Sequence, residues 1–214
     1  INSLTSQENL VVSGGSLTVS NAFSNAANTT MSGGSLLLNG ASALATLTHN
    51  LGTLSGSGLI TVTGASVWAG GAQSGSGTTQ FDAALSISGG SAKGISGTRI
   101  VTLNDATTWS GNTANGNNAI TLAGTATINN AGSFSYTNTF NSTISGGTFN
   151  NSGTFSKQSN TTTSISTAFN NTGTVNLNAG SILMGGGGTS SGAYNLAAGT
   201  VIEFRNGTHT LNNV

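Results

Sequence analysis

The sequence predicts an all-β fold, a parallel β-helix of roughly ten coils with about 20 residues in each coil. Two observations support this prediction. First, the phrase Asn-Asn-x-Gly, followed by Ser or Thr and then an apolar residue, occupies 129–134, 150–155 and 170–175, so it returns at intervals of about 20 residues. Second, single apolar positions keep the same shift, as from Phe149 to Phe169. Coils stacked about 4.8 Å apart require such columns, whereas a hairpin meander does not.

Short strands alternate along the chain with glycine-containing corners. The strand signal is a period-2 alternation of β-forming residues with Ser, Thr or Asn, and clear cases lie at 16–20, 35–39, 59–63, 174–178, 181–184 and 200–204. Almost every one follows a glycine, which adopts positive φ without a Cβ clash and therefore marks the corner before a strand. Interior columns hold Leu, Ile, Val and Phe, and corner columns hold Asn, Gly and Ser. Asparagines stacked at a corner are expected to form hydrogen-bond ladders.

The chain is expected to form one continuous solenoid over 1–214, as a segment of a longer repeat protein. Ten coils at this spacing make a rod of about 50 Å. The middle, 68–118, is less regular, because glycine-rich and asparagine-rich stretches lengthen the spacing there. Longer loops that leave the coil and slightly larger coils both fit this region. A break in the solenoid, if there is one, falls near residue 75.

The composition excludes several classes of partner. Four basic and four acidic residues, 4% of the chain, give a formal net charge of zero, so no charge attracts nucleic acid. No run of about 20 apolar residues is present to form a membrane-spanning helix. Cysteine is absent, and a bacterial chain that crosses the outer membrane unfolded commonly avoids disulfides. Together with the low charge and the abundance of Asn, Thr and Gly, this favours an extracellular protein on a bacterial cell surface.

The C-terminal part of the chain resembles a known family. From Phe169 it reads Phe-Asn-Asn-Thr-Gly-Thr-Val-Asn-Leu-Asn-Ala-Gly-Ser and, after a run of four glycines, Ala-Tyr-Asn-Leu-Ala-Ala-Gly-Thr-Val-Ile-Glu-Phe. These phrases resemble the passenger repeats of autotransporters and filamentous-haemagglutinin-like bacterial surface proteins, and the resemblance runs more loosely over the whole chain. It implies a right-handed parallel β-helix at the cell surface that acts in adhesion or as a stalk. No catalytic residue can be carried over from it.

The chain is predicted not to be an enzyme and to hold neither a cofactor nor a metal ion. Catalysis needs several titratable groups brought together, and calcium-binding β-rolls need an aspartate at every turn. Two isolated histidines without cysteine do not make a structural zinc site, so both are expected at the surface or at corners. Glu203 and Arg205, two residues apart on a strand, are expected to form a surface ion pair. The titratable side chains are few and scattered: Glu8, His49, Asp82, Lys93, Arg99, Asp105, Lys157, Glu203, Arg205 and His209.

Three functions fit the sequence. The first is a structural and adhesive segment of a large secreted surface protein, a stalk or fibre that assembles with copies of itself or attaches to surface glycans. The second is a carbohydrate-binding or carbohydrate-cleaving module in which Trp68 and Trp109 stack on sugar rings, although tryptophans more often fill cores. The third is ice binding by a flat Thr-x-Thr ladder. The triplets begin at 46, 61, 125, 137, 161 and 208, which do not follow the coil period, so ordinary strand threonines are the preferred interpretation.

Overall fold

Within residues 1–111 and 118–212, which the computed structural model describes, every regular element is a β-strand. Most strands have three or four residues, and β4, β5, β17 and β19 are longer because they continue around the corners of the coil. The first strands in chain order are β1 (Leu4–Ser6), β2 (Leu10–Val12), β3 (Ser16–Val19), β4 (Phe23–Leu38), β5 (Ser42–Ser55), β6 (Leu59–Val62), β7 (Ser66–Trp68), β8 (Gly71–Gln73), β9 (Thr78–Phe81), β10 (Leu85–Ile87), β11 (Lys93–Ile95), β12 (Ile100–Leu103) and β13 (Thr107–Trp109). The others are β14 (Ile120–Leu122), β15 (Thr127–Asn130), β16 (Ser133–Tyr136), β17 (Ser142–Asn151), β18 (Thr154–Lys157), β19 (Thr162–Asn171), β20 (Thr174–Leu177), β21 (Ser181–Met184), β22 (Gly188–Ser190), β23 (Ala193–Leu196), β24 (Val201–Phe204) and β25 (His209–Leu211).

Neighbouring strands pair in parallel and build three sheets that run along one axis. The first sheet contains β1, the starts of β4 and β5, β6, β9, β12, β15, the ends of β17 and β19, β22 and β25. The second contains β2, the middles of β4 and β5, β7, β10, β13, β16, β18, β20 and β23. The third contains β3, the ends of β4 and β5, β8, β11, β14, the starts of β17 and β19, β21 and β24. The chain therefore visits each sheet once in every coil.

The strand register gives the length of each coil. Most steps along a column are about 20 residues long. The pair of phenylalanines predicted to stack, Phe149 and Phe169, does so. The structure thus confirms the prediction of an all-β solenoid with about 10 turns and about 20 residues per turn. One inward column of the first sheet consists of Leu4, Phe23, Ser42, Ile60, Thr79, Val101, Ile128, Phe149 and Phe169.

The irregular middle owes its length to one corner. The two longest steps of this column run from Thr79 to Val101 and from Val101 to Ile128. They gain their extra residues between the second and third sheets, from β10 to β11 and from β13 to β14. Two residues suffice at the same corner between β7 and β8. Residues 112–117, which belong to the predicted irregular stretch, lie outside the described residues. Strand pairing continues beside residue 75, because Gln73 pairs on both sides, with Leu54 and with Ile95.

Inward side chains form a continuous apolar core. The rings of Phe134 and Phe155 are stacked with centroids 5.3 Å apart, and those of Phe149 and Phe169 are stacked with centroids 5.4 Å apart. All four are at most 4% exposed, and burial of each such side chain contributes about 2 kcal/mol. The phenylalanines that repeat in the sequence therefore stabilise the contact between consecutive coils.

The glycine of the repeated phrase has a different role from the predicted one. Gly34 adopts a left-handed φ of 61°, as expected for a corner, but Gly132, Gly153 and Gly173 do not. A Cβ on Gly153 would collide with the carbonyl oxygen of Gly132, and a Cβ on Gly173 would collide with that of Gly153. Successive coils approach each other too closely at this corner for any side chain.

Candidate functional site

The two tryptophans predicted as glycan contacts point into the solenoid. Trp68 is 1% exposed and Trp109 is 0% exposed. Trp68 stacks on His49 with ring centroids 6.4 Å apart, and Trp109 packs edge-on against Tyr136 with centroids 5.1 Å apart. Stacking on a sugar requires an exposed ring face. The structure corrects the expectation of a surface contact, since neither indole offers such a face and both are core side chains.

Three of the four Lys and Arg side chains are also inside the solenoid. Lys93, Arg99 and Lys157 are 0% exposed, whereas the acidic residues Glu8, Asp82, Asp105 and Glu203 are exposed. Transfer of a charge out of water is unfavourable, and a carboxylate normally accompanies a buried cation. This arrangement was not predicted from the sequence, in which no charged residue was assigned to the core. The buried cations are therefore the most unusual chemical groups of the described chain.

Arg99 is held by oxygen atoms at the corner between the third and first sheets. Its Nη1 donates to the carbonyl oxygens of Gly56 at 3.3 Å and Ser74 at 3.5 Å, and its Nη2 donates to Thr79 Oγ1 at 2.5 Å. Burial lowers the pKa of Arg99 to about 10. The guanidinium is still charged at neutral pH and joins three segments of the chain.

Lys157 lies at the end of β18, on the inward side of the second sheet. Its Nζ donates to Ser159 O at 2.5 Å and to the hydroxyl oxygens of Ser159 and Thr161 at 3.3 Å each. The same atom lies 4.9 Å from the ring centroid of Tyr136, which is a cation–π contact. Burial lowers the pKa of Lys157 to about 8. Neutral oxygens and an aromatic ring thus replace water around this ammonium group.

Lys93 lies at the start of β11 and reaches the next coil. Its Nζ donates to Asn118 Oδ1 at 2.9 Å and to Gly89 O at 3.3 Å. The indole Nε1 of Trp109 donates to the same Oδ1 at 3.1 Å. Burial lowers the pKa of Lys93 to about 8. One carboxamide oxygen, itself in a side chain that is 5% exposed, therefore receives two hydrogen bonds in a dry environment.

Buried polar side chains connect the two lysines. We call Asn118, Asn138, Ser142 and Thr161 the polar corner. Asn118 Nδ2 donates to Asn138 Oδ1 at 2.8 Å, and Asn138 Nδ2 donates to Ser142 Oγ at 3.1 Å. Thr161 Oγ1 donates to Asn138 O at 3.4 Å and accepts from Lys157. The polar corner lies between the second and third sheets, where the longest coils gain their extra residues.

His49 is buried, which corrects the expectation of a surface or corner position. It is 0% exposed, and its Nε2 lies 3.3 Å from Gly52 O. Burial lowers the pKa of His49 to about 4, although the contact with Gly52 acts in the opposite direction. At neutral pH the ring is uncharged, and Nε2 carries the proton because a carbonyl oxygen only accepts. His209, the other histidine, is half-buried at the start of β25.

The Asn-Asn pairs at 129–130, 150–151 and 170–171 form the predicted ladders. The second asparagine of each pair is buried, and its Nδ2 donates to the Oδ1 in the following coil at 2.7 and then 2.8 Å. The first asparagine faces outward, and its Nδ2 donates to the Oδ1 in the preceding coil at 2.9 Å in both steps. Two parallel ladders thus join three coils at one corner.

The outer surface offers little acid–base chemistry. Over 1–111 and 118–212, no three His, Asp or Glu side chains come together as metal ligands. Arg205 Nε lies 2.8 Å from Glu203 Oε1, which confirms the predicted surface ion pair. The Thr-x-Thr triplets do not share a face: Thr48 faces outward from the second sheet and Thr61 from the first, while Thr163 points into the core. A flat ice-binding ladder does not result from them.

An apolar groove lies at the last described coil. Its volume is about 290 Å³, and it is lined by Tyr194, Leu196, Ile202, Phe204 and Leu211. Leu196 is 50% exposed and Phe204 is 41% exposed. These side chains continue the interior columns of the preceding coil. A further coil stacked on this one would cover them.

Comparison with known proteins gives no family for this chain. No protein-family model, no curated protein and no solved structure matches it. In the part of the chain that the structure describes, no helix has the length and apolar character needed to cross a membrane.

Proposed function

We propose that this chain is a structural and adhesive segment of a secreted bacterial cell-surface protein, in which it forms a stalk or fibre. The observation that supports this most is the continuous parallel pairing of coils from β1 to β25. Each coil is hydrogen-bonded to the next along the axis, so the ends of the rod are held at a fixed distance of about 50 Å. A rod of this kind resists stretching and bending, which is the work of a stalk.

The chemistry of the surface supports a mechanical role. Serine, threonine and asparagine side chains cover the sheets, and the exposed charges are few and dispersed. The amide ladders add side-chain hydrogen bonds along the axis to those of the backbone. The absence of cysteine suits a long chain that is exported before it folds, and the absence of proline leaves the backbone ladders uninterrupted. Burial of both tryptophans leaves the carbohydrate-module alternative without a supporting observation.

Self-association into fibres belongs to the same proposal. The groove at the last described coil has apolar walls, and another coil that stacks on it covers them. Leu196→Asp would place a charge in this groove. We expect the wild-type protein to form larger species in sedimentation experiments as its concentration rises, and the variant to do so less. Equal sedimentation of the two proteins at all concentrations would count against assembly through this end.

Gold-labelled antibodies against the chain, applied to the cells that produce it, test the location. We expect label on intact cells, at a distance from the envelope, and label only after permeabilisation would contradict the proposal. Attachment of these cells to surfaces tests the role. Deletion of 149–168 removes one coil in register, since Phe149 pairs with Phe169, and should preserve attachment. Deletion of the whole segment should abolish it, and unchanged attachment would overturn the adhesive role.

A further inference from the structure

A buried amine and a buried carboxamide are in direct contact in this protein. Lys93 Nζ and Asn118 Oδ1 are 2.9 Å apart, and the two residues are separated by 25 positions in the chain. Lys93 is 0% exposed and Asn118 is 5% exposed. The contact joins β11 to the corner before β14, across two consecutive coils.

The surroundings make the amine nucleophilic. None of the four side-chain carboxylates of the chain is buried, and the atoms that face Lys93 Nζ are the oxygens of Asn118 and Gly89. Burial lowers the pKa of Lys93 to about 8, so about a tenth of this amine is uncharged at pH 7. An exposed lysine is uncharged at least about one hundred times less often than Lys93. Only the uncharged form can attack a carbonyl carbon.

The surroundings also activate and orient the carboxamide. Trp109 Nε1 donates to Asn118 Oδ1 at 3.1 Å, so it would stabilise negative charge on this oxygen when a tetrahedral intermediate forms. Asn118 Nδ2 donates to Asn138 Oδ1 at 2.8 Å, which fixes the orientation of the amide. Gly111 makes room for it, because a Cβ on Gly111 would collide with Asn118 Nδ2. The exclusion of water removes hydrolysis as a competing reaction.

We propose that Lys93 and Asn118 form an intramolecular isopeptide cross-link. The uncharged Nζ attacks Cγ of Asn118, and a new C–N bond forms. The proton lost by Nζ moves to Nδ2, the Cγ–Nδ2 bond breaks, and ammonia leaves. The reaction involves no oxidant and no other reactant. Among the described residues no carboxylate contacts the pair to speed the proton transfer, so the bond should form slowly in the folded protein, over hours to days rather than during folding.

The cross-link would pin the most irregular part of the solenoid. It closes a loop of 25 residues that contains the longest corner of the rod. A covalent bond at this point prevents the two coils from separating under tension, as a disulfide would, but without cysteine. The inference concerns the residues of the interior and does not depend on the proposed location or adhesive role.

Mass spectrometry of the intact purified chain tests the proposal. We expect the mass to fall below the sequence mass by one ammonia during incubation in buffer above pH 8. Tandem spectra of a protease digest should contain a branched peptide that joins Lys93 to Asn118. Lys93→Met should keep the full mass and yield no branched peptide, and Arg99→Met, which removes a buried cation with no contact to the polar corner, should not affect the reaction. Trp109→Phe removes the donor to the oxyanion and should slow the reaction at least tenfold.

Two other reactions of asparagine are separated by the same experiment. A succinimide at an Asn-Gly sequence also loses ammonia, but it hydrolyses in alkaline buffer and gives no branched peptide. Deamidation raises the mass by about one unit instead. If Lys93→Met does not fold, the branched peptide of the wild-type protein still decides the question. A folded wild-type protein that keeps its full mass after prolonged incubation above pH 8, or that loses ammonia without a Lys93–Asn118 branched peptide, overturns the proposal.

Discussion

Lys157→Met is expected to stabilise the protein at neutral pH and to destabilise it at alkaline pH. Lys157 is 0% exposed, and burial lowers its pKa from the ordinary 10.5 to about 8. Below pH 8 the lysine is charged in both the folded and the unfolded chain, so the folded state has the full cost of a buried charge. This cost disappears as the pH rises from 8 to 10.5, because the folded chain loses its proton before the unfolded chain does.

The magnitude follows from the size of this shift. Each pKa unit corresponds to about 1.4 kcal/mol, so the buried charge costs about 3 kcal/mol below pH 8. Methionine keeps the length and apolar volume of the side chain but leaves the carbonyl oxygen of Ser159 without the donor that Lys157 Nζ provides, which costs about 1–2 kcal/mol. We therefore expect the variant to be more stable than the wild type by about 1–2 kcal/mol at pH 7. Above pH 10.5 the wild type should be the more stable protein by about the same amount.

Urea unfolding of both proteins at a series of pH values measures this difference. Lys93 and Arg99 contribute equally to both proteins, so the difference isolates Lys157. Tyr136→Phe is a suitable control, because it retains the ring that contacts Lys157 Nζ. A difference between the wild type and Lys157→Met that stays constant from pH 7 to pH 11, or a variant that is less stable at pH 7, would refute the reasoning that the buried charge is uncompensated.

Three further predictions concern the ladder, the close corner and the buried histidine. Asn151→Ala should lower the free energy of unfolding by about 2–4 kcal/mol, since it removes the hydrogen bonds of Asn151 with the buried amides of Asn130 and Asn171 and leaves Asn171 Oδ1 without a donor. Asn150→Ala on the outer ladder should cost less than about 1 kcal/mol, and chemical denaturation compares the two variants. Gly153→Ala should cost about 3 kcal/mol or more in a thermal unfolding assay, because its Cβ meets the backbone of the preceding coil. Gly14→Ala, where a Cβ meets nothing within 4 Å, should change stability by less than about 0.5 kcal/mol. The free energy of unfolding should fall by about 3 kcal/mol as the pH drops from 6.5 to about 4, because His49 binds a proton in the unfolded chain before it does so in the folded chain. Urea unfolding at a series of pH values should show a smaller fall over this range for His49→Phe than for the wild type.

Each of these three predictions has an outcome that would contradict it. Equal losses at the inner and outer ladders would mean that burial does not decide the strength of the ladder. A Gly153→Ala protein as stable as Gly14→Ala would mean that the coils are further apart at this corner than the structure has them. If His49→Phe lost as much stability as the wild type between pH 6.5 and 4, the acid sensitivity would belong to another group.

The repeated phrase made the fold predictable, but nothing in the sequence predicted the lengths of the corners. Phe149 and Phe169, and the two asparagine ladders, occur in the sequence at the shift that the structure shows, because interior columns must keep register through every coil. The two long steps on either side of Val101 have no counterpart in that pattern. Corners are on the surface and tolerate insertions, so their lengths are not constrained by packing. The close approach at Gly153 was also hidden, because glycine suits both a left-handed φ and a backbone contact.

The interior cations were predictable in one case and not in the others. Lys157 occupies the position of Tyr136 and Leu177 in successive phrases, two residues after a core side chain, and the structure pairs these three residues. Period-2 alternation alone therefore favours the core for Lys157, whereas its charge favours the surface. Lys93 and Asn118 belong to no repeat, and their contact depends on the path of a long corner. No pattern in the sequence reports such a contact.

The central claim is that the chain is one continuous rod of stacked coils, and distances between paired spin labels test it most directly. The chain has no cysteine, so labels attach only where cysteine is introduced. Ser24, Thr102 and Thr189 lie on one outward column of the first sheet. Thr102 is four coils from Ser24, and Thr189 is four coils beyond Thr102. With coils about 4.8 Å apart, labels at Ser24→Cys and Thr102→Cys should be about 19 Å apart, and labels at Ser24→Cys and Thr189→Cys about 38 Å apart. Narrow distance distributions that double in this way are the expected result. Broad distributions, or a second distance that is not about twice the first, would contradict a continuous solenoid.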